Sequence, residues 1–274
     1  MKLMLFSKHL GALSVAQAGR AMAELGFQGV DLTVRPGGHV LPENARAELP
    51  RAVRTLRDLG LEVPLITTGI LSATDPYAAD IFEAAGETGV PELKLGYWQY
   101  SAFGTFRQRM DEASRLLDGI EELALRTGVR AVIHTHSGDH MSALAPVVWY
   151  WIVDRDPSAI GAYADPAHMV VEGGLAGWRM GLDLLGERIV VVAFKDYVWQ
   201  PEVGPSGKPR MVRVAKPLSE GMVPWPEVLA CLRQVGFDGW ISLHREYGNP
   251  DVEAVLADVG KDLAYLRPLL ASPD

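Results

Sequence analysis

The stretch TGVRAVIH, residues 127–134, places glycine directly before a run of β-branched and apolar residues. Glycine just past a helix end takes the left-handed conformation without a Cβ penalty, so this stretch predicts a helix that ends near Gly128 and a strand that follows at once. The same junction recurs as LGFQGVDL (25–32), LGLEVPLI (59–66), TGVPELKL (88–95) and VGFDGWISL (235–243). Repeated junctions of this kind predict alternating β and α units.

Eight strands are predicted, each followed by a helix. They lie at 2–6, 29–33, 62–67, 92–96, 130–135, 160–165, 189–195 and 240–244. A (β/α)₈ barrel typically needs about 250 residues, so the chain is expected to form one TIM barrel domain over 1–274. A doubly wound open sheet is the alternative. It is less favoured because the first turn, SKHLGALS (7–14), lacks a Gly-x-Gly-x-x-Gly fingerprint. Ser14 with Gln17 predicts a capping box at the start of the first helix.

The composition is that of an acidic globular protein. Hydrophobic residues make up 48% of the chain and the formal net charge is −8. These values exclude a disordered chain and argue against nucleic acid as a partner, because phosphate binding needs a basic surface. They leave room for a small anionic substrate held by a local basic patch. Cys231 is the one cysteine, which excludes an intrachain disulfide and a cysteine-based zinc site.

Targeting and membrane signals are not apparent in the sequence. The first apolar stretch ends at Lys8 and is too short for a signal peptide. No apolar run approaches the roughly 18 residues of a membrane span, and the longest, APVVWYWIV (145–153), is expected to form a buried helix. We therefore expect a cytoplasmic protein with no membrane partner.

One long stretch, 199–222, shows no helix or strand pattern and follows predicted strand seven. It contains Lys208, Arg210, Arg213 and Lys216 against Glu202 and Glu220. An irregular basic loop on the carboxyl-end face of a barrel is expected to cover the mouth as a substrate lid. A solvated or oligomer-contacting loop is the alternative.

Polar side chains gather at the predicted carboxyl ends of strands five to eight, where the active site of a parallel barrel lies. They are His134 and His136, Asp165 and His168, Lys195 and Asp196, and His244 and Glu246. Because side chains alternate along a strand, His134 and His136 share one face, as do His244 and Glu246. Polar residues on an inward face need buried partners, since unpaired burial is costly.

Two imidazoles and one carboxylate from this group suit a divalent metal ion, such as Mn, Co, Zn, Fe or Mg. The expected ligands are His134, Asp165 and His244. Taken singly, each histidine could instead be a hydrogen-bonded structural residue. Glu246 could replace a ligand, act as a base, or form an ion pair at the rim with Arg245 or Lys195.

Four residues outside these strand ends are candidates for substrate binding. Arg35 and His39 follow strand two in VRPGGHVLP (34–42), where two glycines allow a tight turn that aims side chains inward. Trp98 follows strand four and Trp199 follows strand seven. Flat aromatic faces often stack on sugars, although lid packing explains each tryptophan equally well.

These residues carry a resemblance to the xylose isomerase-like TIM barrels, the sugar phosphate isomerase/epimerase superfamily that includes ketose 3-epimerases and inosose dehydratases. Asp165-Pro166-Ala167-His168 resembles the family's Asp-x-Gly-His, and Lys195-Asp196 resembles the end of its His-x-Lys-Asp. The run SEGMVPW (219–225) followed by GFDGW (236–240) is similar to the family's entry into strand eight.

The resemblance implies metal ligands Glu, Asp, His and Glu at the ends of strands five to eight. In this sequence those positions hold His134, Asp165, Ala193 and His244, so one of the four is unchanged and Ala193 cannot coordinate. His168 matches a family residue that contacts substrate. The metal centre is therefore expected to be either reshaped or lost.

The resemblance implies an enzyme of carbohydrate metabolism, a sugar or keto-sugar isomerase or epimerase, with metal-assisted proton transfer beside a carbonyl. Glu246, His136 or His168 would move the proton, and Lys195 would stabilise the oxyanion. A dehydratase or lyase on an oxidised sugar or polyol, a non-catalytic sugar-binding barrel, and an endonuclease IV-like phosphodiesterase are the alternatives. By analogy with related barrels, the partners are a small-molecule sugar and, as one option, further copies in a homo-oligomer.

Overall fold

Eight parallel strands close into a barrel in the computed structural model, which describes residues 1–271. The barrel strands are β1 (Lys2–Phe6), β2 (Gly29–Thr33), β3 (Glu62–Thr67), β4 (Glu92–Lys94), β5 (Arg130–His134), β6 (Ile160–Ala164), β7 (Ile189–Phe194) and β10 (Trp240–Leu243). β1 to β7 pair in chain order, and β10 closes the circle between β7 and β1. The predicted TIM barrel is confirmed, and the open sheet is excluded.

Helices follow the barrel strands and cover the outside of the barrel. They are α1 (Val15–Glu24), α2 (Ala45–Asp58), α3 (Ala78–Glu87), α4 (Phe106–Thr127), α5 (Ala145–Ile152), α6 (Pro166–Leu185), α7 (Trp225–Gln234) and α8 (Val252–Ala271). The capping box of Ser14 and Gln17 is present at the start of α1. Gly128 caps α4 with a φ of 69°, the left-handed conformation that the sequence predicts.

Two separate apolar layers hold the barrel together. The outward side chains of the strands pack with the helices in one large core, and a small cluster fills the barrel interior. The interior cluster consists of Met4, Leu65, Val132, Tyr163, Val191 and Ala193. Alternation then places the residues two positions further along, such as His134, Asp165 and Lys195, on the same inward side above this floor.

The predicted strands agree with the observed ones to within two residues, and each difference lies at a carboxyl end. There the backbone leaves the sheet to build the site. Asp165, for example, is the N-cap of α6 rather than the last residue of β6.

The prediction of an irregular loop over 199–222 is wrong. Most of it belongs to an antiparallel hairpin of β8 (Asp196–Val203) and β9 (Pro209–Lys216), paired from Asp196 with Lys216 to Val203 with Pro209. Both strands of a two-stranded ribbon are edges, so prolines are tolerated there although they suggest a loop. In the described part of the chain, no helix combines the length and apolar character that crossing a bilayer requires.

Candidate active site

A cavity of about 100 Å³ opens at the carboxyl ends of the barrel strands. Its described lining residues are Phe6, Lys8, Arg35, Thr67, Lys94, Tyr97, His134, His136, Tyr163, Lys195, His244 and Glu246. Four of these are basic, and Glu246 is the one acid among them. The cavity therefore carries an excess of positive charge in a chain whose formal net charge is −8.

Asp165 lies fully buried at the base of this region. Its Oδ1 atom accepts a hydrogen bond from the backbone N–H of His168, at 3.0 Å, which caps α6 and fixes the carboxylate. Its Oδ2 atom lies 3.0 Å from Nε2 of His134 and 3.1 Å from Nζ of Lys195. Both carboxylate oxygens therefore have partners within the protein.

Lys195 connects the buried acid to the acid that lines the cavity. Its Nζ atom is 3.6 Å from Oε1 of Glu246, and its side chain is 2% exposed. The Tyr197 hydroxyl donates to Oε2 of Glu246 at 2.6 Å. Burial alone would raise the pKa of Glu246, but the Lys195 ammonium, His244 and the Tyr197 hydroxyl together hold that pKa well below its ordinary value. Glu246 is therefore an ionised carboxylate.

His134 is a buried, neutral imidazole with both nitrogens engaged. Burial and the nearby ammonium groups of Lys195 and Lys94 lower its pKa well below the ordinary value. Because the Asp165 carboxylate accepts, Nε2 carries the proton. The Nδ1 atom accepts from the Tyr97 hydroxyl at 2.7 Å. His134 is therefore a fixed link between Tyr97 and Asp165.

His136 presents a free acceptor nitrogen toward the cavity. Its Nδ1 atom donates to the carbonyl of Ser137 at 3.0 Å, which leaves the Nε2 lone pair unprotonated. Burial first, and then the proximity of His134 and of the Lys195 ammonium, lower the pKa of His136 to about 2. The ring lies 3.9 Å from that of His168, centroid to centroid.

His168 is held from the hairpin side. The hydroxyl of Ser137 lies 2.6 Å from its Nδ1 atom, and the Arg213 guanidinium contacts both of these residues. The Arg213 guanidinium also lies over the ring of Tyr197, at 4.5 Å. Of the basic residues expected in a lid, Arg213 reaches the site, whereas Arg210 pairs with Glu202 on the surface.

His244 is turned toward the floor of the cavity. Its Nε2 atom lies 3.0 Å from the Tyr163 hydroxyl and 3.2 Å from the Ser242 hydroxyl, and its ring stacks on Phe6. The same two hydroxyls point to Oδ2 of the buried Asp31. His244 therefore belongs to a hydroxyl network under the cavity.

The metal centre stays a prediction. His134 and His244 line the cavity and Asp165 lies buried beside them, but among the described residues no group of three histidine, cysteine or acidic side chains is placed to hold a metal ion. The Lys195 ammonium contacts the one carboxylate that the resemblance leaves unchanged, and Ala193 supplies no donor. Because Ala193 supplies no donor and both oxygens of Asp165 already have partners within the protein, these residues do not fit a divalent ion in the arrangement that the structure shows.

Arg35 lines the cavity, as the sequence predicts. The backbone turns directly after it, since Gly38 N–H donates to its carbonyl at 2.8 Å and Gly37 has a φ of 71°. A side chain at Gly38 would collide with the Thr33 carbonyl, 2.9 Å from the added Cβ. The Pro-Gly-Gly sequence therefore positions Arg35 at the cavity.

Four predicted substrate-binding residues are not among the described residues that line the cavity, and they are the fully buried His168 and the three that follow. His39 bonds to the hydroxyl of Thr33. Trp98 packs edge-on against Trp151, at 5.3 Å between centroids. Trp199 lines a separate groove with Trp178, on the outside of the barrel. Beyond the end of a strand, side chains no longer alternate between two faces. The sequence therefore does not show which of two adjacent residues points into the cavity.

Seven residues that the sequence analysis does not single out for the site belong to it. Six of them line the cavity, namely Phe6, Lys8, Thr67, Lys94, Tyr97 and Tyr163, and the seventh, Tyr197, donates to Glu246. Lys94 could have been found, because it lies inside predicted strand 92–96. Tyr97 and Tyr197 lie one and two positions before Trp98 and Trp199, so the sequence identifies these segments but not which ring reaches the site.

Comparison with protein families identifies the family to which the chain belongs. A family model described as xylose isomerase-like TIM barrel matches residues 20–269. The chain belongs to the xylose isomerase-like TIM barrel family. No curated protein sequence matches this xylose isomerase-like barrel significantly.

Solved structures share the fold of this xylose isomerase-like barrel over nearly its whole length. D-psicose 3-epimerase, determined in the presence of D-fructose, has a TM-score of 0.74 at 16% identity, covering 99% of this chain and 100% of the epimerase chain. A protein described as a probable 3-DHS dehydratase of Bacillus anthracis has a TM-score of 0.73 at 18% identity, covering 97% and 99%. A xylose isomerase-like protein of Mycobacterium smegmatis in complex with magnesium has a TM-score of 0.67 at 16% identity, covering 98% of each chain.

Proposed function

We propose that this protein is an enzyme that isomerises or epimerises a sugar or keto-sugar by moving a proton beside a carbonyl group. The single observation that carries the proposal is the pair of Glu246 and Lys195, 3.6 Å apart and both lining the cavity. The similarity to D-psicose 3-epimerase supports the substrate class. Because the residues do not fit a divalent ion, Lys195 supplies the positive charge.

In the proposed reaction, the Lys195 ammonium donates a hydrogen bond to the substrate carbonyl oxygen. Glu246 removes the proton from the adjacent carbon, and the electron pair moves onto that oxygen to give an enediolate. Lys195 stabilises the developing negative charge in a site from which water is largely excluded. Return of the proton from Glu246 to the neighbouring carbon completes isomerisation. Epimerisation is completed when a proton from solvent reaches the opposite face of the same carbon and Glu246 keeps the proton that it removed.

His136 assists the proton transfer in this scheme. Its Nε2 atom accepts a hydrogen bond from the hydroxyl group next to the carbonyl and orients that hydroxyl toward the neighbouring oxygen. In isomerisation the hydroxyl proton then passes to that neighbouring oxygen of the enediolate. Arg35, which lines the cavity, holds the substrate in position.

A dehydratase or lyase acting on an oxidised sugar is the second candidate. The excess of basic residues around the cavity favours it, because an oxidised sugar carries a negative charge. The same base and ammonium would begin this reaction, and the enediolate would then expel a hydroxyl group at the next carbon. A cytoplasmic location and a homo-oligomeric state remain predictions from the sequence.

Proton exchange with solvent tests the proposal directly. The protein is incubated in D₂O with a panel of ketohexoses and keto-acids, and NMR follows deuterium at the carbon beside each carbonyl. We expect exchange with at least one compound, and a loss of about 10²–10⁴-fold in Glu246→Gln. Glu87→Gln, which removes a carboxylate on the protein surface, is the matched control and should exchange normally. Binding without exchange for every compound would instead identify a sugar-binding barrel.

A further inference from the structure

Lys94 is a buried ammonium without a counter-ion. It ends β4, lines the cavity and is 2% exposed. Within residues 1–271, its Nζ atom has neither a hydrogen-bond acceptor nor a carboxylate within ion-pair distance. Its Nζ atom lies over the face of the Tyr97 ring, 3.5 Å from the ring centroid. A buried charge with no partner is costly, which makes this arrangement unusual for a residue that serves only the fold.

Arg35 lines the same cavity as Lys94 and is half-buried. Its guanidinium lies over the ring of Phe6, at 5.6 Å. In the described structure its side chain donates no hydrogen bond to a protein acceptor. The turn through Gly37 and Gly38 nevertheless fixes it at the cavity. Two cations therefore line one cavity without an ion pair to the described protein.

The acids nearby are already engaged. Asp31 accepts from the hydroxyls of Thr67 at 2.6 Å and Ser242 at 2.9 Å. Glu246 is held by Lys195 and Tyr197, as described above. The hydroxyls leave the negative charge of Asp31 in place, and that charge offsets part of the burial cost of Lys94. No carboxylate of the described residues lies within ion-pair distance of Lys94 or Arg35, so a ligand carboxylate would find their donors free.

We infer that Lys94 and Arg35 bind the carboxylate of the substrate, which is therefore an acidic sugar or keto-acid rather than a neutral sugar. The inference rests on the proposed function, because it names the class of compound that the same cavity takes. Lys195 and Glu246 then act on the carbonyl end of the substrate, and Lys94 with Arg35 hold its charged end. An arginine fork and an ammonium together match the oxygens of one carboxylate.

A carboxylate fits this wall better than a phosphate. Phosphate sites commonly use backbone N–H groups from glycine-rich turns or helix N-termini. Among the described residues that line this cavity none is a glycine, and the donors toward it are side chains. The volume of about 100 Å³ also suits a short acidic substrate.

The ionisation of Lys94 agrees with this role. Burial and the positive charge of Arg35 lower its pKa well below the ordinary value. A bound carboxylate would raise that pKa again and so stabilise the ammonium form, and binding therefore weakens as the pH rises.

Binding of small fragments tests the inference without depending on stereochemistry or catalysis. Sodium glycolate is compared with ethylene glycol, its neutral counterpart, and with inorganic phosphate, at constant ionic strength. Thermal unfolding is recorded for the wild type, Lys94→Met, Arg35→Met and the surface control Lys261→Met. We expect glycolate at about 100 mM to raise Tm by roughly 2–4 °C in the wild type and in Lys261→Met. The two cavity variants should lose this shift, and ethylene glycol should give none.

Several results would overturn the inference. One is a glycolate shift that survives in both cavity variants, and another is no glycolate shift in the wild type. An equal effect of ethylene glycol would show that charge is not recognised, and a larger effect of phosphate would assign the site to phosphate esters. Borohydride trapping of dihydroxyacetone on Lys94, found by peptide mass analysis, would make Lys94 a nucleophile instead. Deuterium exchange measured in parallel keeps the two proposals apart, since exchange on neutral ketoses without glycolate binding refutes only the carboxylate site.

Discussion

The ammonium nitrogen of Lys195 lies 3.1 Å from Oδ2 of Asp165, with both side chains at most 2% exposed. The xylose isomerase-like resemblance implies a metal ligand at Asp165, so in this protein a side-chain cation contacts the carboxylate that would otherwise hold a metal. An ammonium donates hydrogen bonds and cannot be displaced by dialysis. It also stabilises an adjacent oxyanion, which is one of the catalytic roles of a bound metal ion.

This relationship predicts that activity is independent of divalent metals. Treatment with EDTA is expected to change neither the rate of solvent proton exchange nor Tm, and elemental analysis should find no stoichiometric metal. The reason is that Ala193 supplies no donor and that both oxygens of Asp165 have partners within the protein. A double variant, Ala193→His with Lys195→Met, restores a donor and removes the ammonium, so its Tm should rise with Mn²⁺. Inactivation of the wild type by EDTA with rescue by one divalent ion would refute this prediction.

The fold could be predicted from the sequence because its signals are local and repeated. Each glycine cap fixes the end of a helix, and Gly128 adopts the expected left-handed conformation. The hairpin was missed because its own signals conflict. Pro201 and Pro209 suggest a loop. They are nevertheless accommodated in paired strands, because each strand of the hairpin has one edge without a neighbouring strand, and this arrangement cannot be read from the residues alone.

The site could be predicted where side chains alternate between the two faces of a strand, but not in the loops that follow the strands. Alternation of side chains along β5, β7 and β10, continued for a few residues past the end of each strand, correctly predicts four residues that line the cavity. They are His134, His136, Lys195 and Glu246. Tyr97 and Trp98 are adjacent in a loop, where nothing in the sequence says which ring faces inward. The counter-ion of Asp165 could not be predicted either, because a lysine and a metal ion satisfy the same carboxylate.

Removal of Lys195 is expected to destabilise the protein through the carboxylates it leaves behind. Lys195→Met should lower the free energy of unfolding by about 3 kcal/mol, because Asp165 is fully buried and loses its cation. Urea unfolding checks this value. In a double-mutant cycle, Lys195→Met combined with Asp165→Asn should cost clearly less than the sum of the two single changes. Additive costs would show that the two residues do not interact.

The histidines predict a loss of stability in mild acid. Burial is the largest cause that lowers the pKa of each of the seven. The unfolded chain then binds more protons than the folded one below about pH 6.5, so this stability is present above that pH and is lost as the pH falls. For the fully buried His134, His168 and His244, each pH unit costs up to about 1.4 kcal/mol apiece.

Two buried acids oppose this trend in part. Burial raises the pKa of Glu92 and of Asp196 to about 7, so their penalty decreases as the pH falls. The histidines outnumber them, and urea midpoints should still fall between about pH 7.5 and about pH 5.5. The substitution His9→Gln removes an imidazole whose pKa is lowered to about 3. The urea midpoint of this variant should therefore depend less steeply on pH than that of the wild type. A midpoint that rises in this range would contradict the assignment of neutral histidines.

Lys94→Met is expected to stabilise the ligand-free protein, by about 1 kcal/mol near neutral pH. The substitution removes a buried charge that lacks a counter-ion, and this gain exceeds the lost contact with the ring of Tyr97. Because the folded pKa of Lys94 is lowered, its penalty grows as the pH falls, and so should the benefit of the substitution. Lys261→Met on the surface serves as the control and should leave the urea midpoint unchanged. A destabilised Lys94→Met would indicate that the ammonium has a stabilising partner.

Tyr197 is predicted to tune the proton-transfer carboxylate. Its hydroxyl donates to Glu246 at 2.6 Å, and this hydrogen bond favours the ionised form. Tyr197→Phe should therefore raise the pKa of Glu246 and move the acidic limb of the kcat/KM profile to higher pH, by up to about one unit. Tyr150→Phe, which alters an exposed ring, should leave the profile unchanged. A lower rate in Tyr197→Phe with an unmoved acidic limb would assign Tyr197 to packing beneath Arg213 instead of to the ionisation of Glu246.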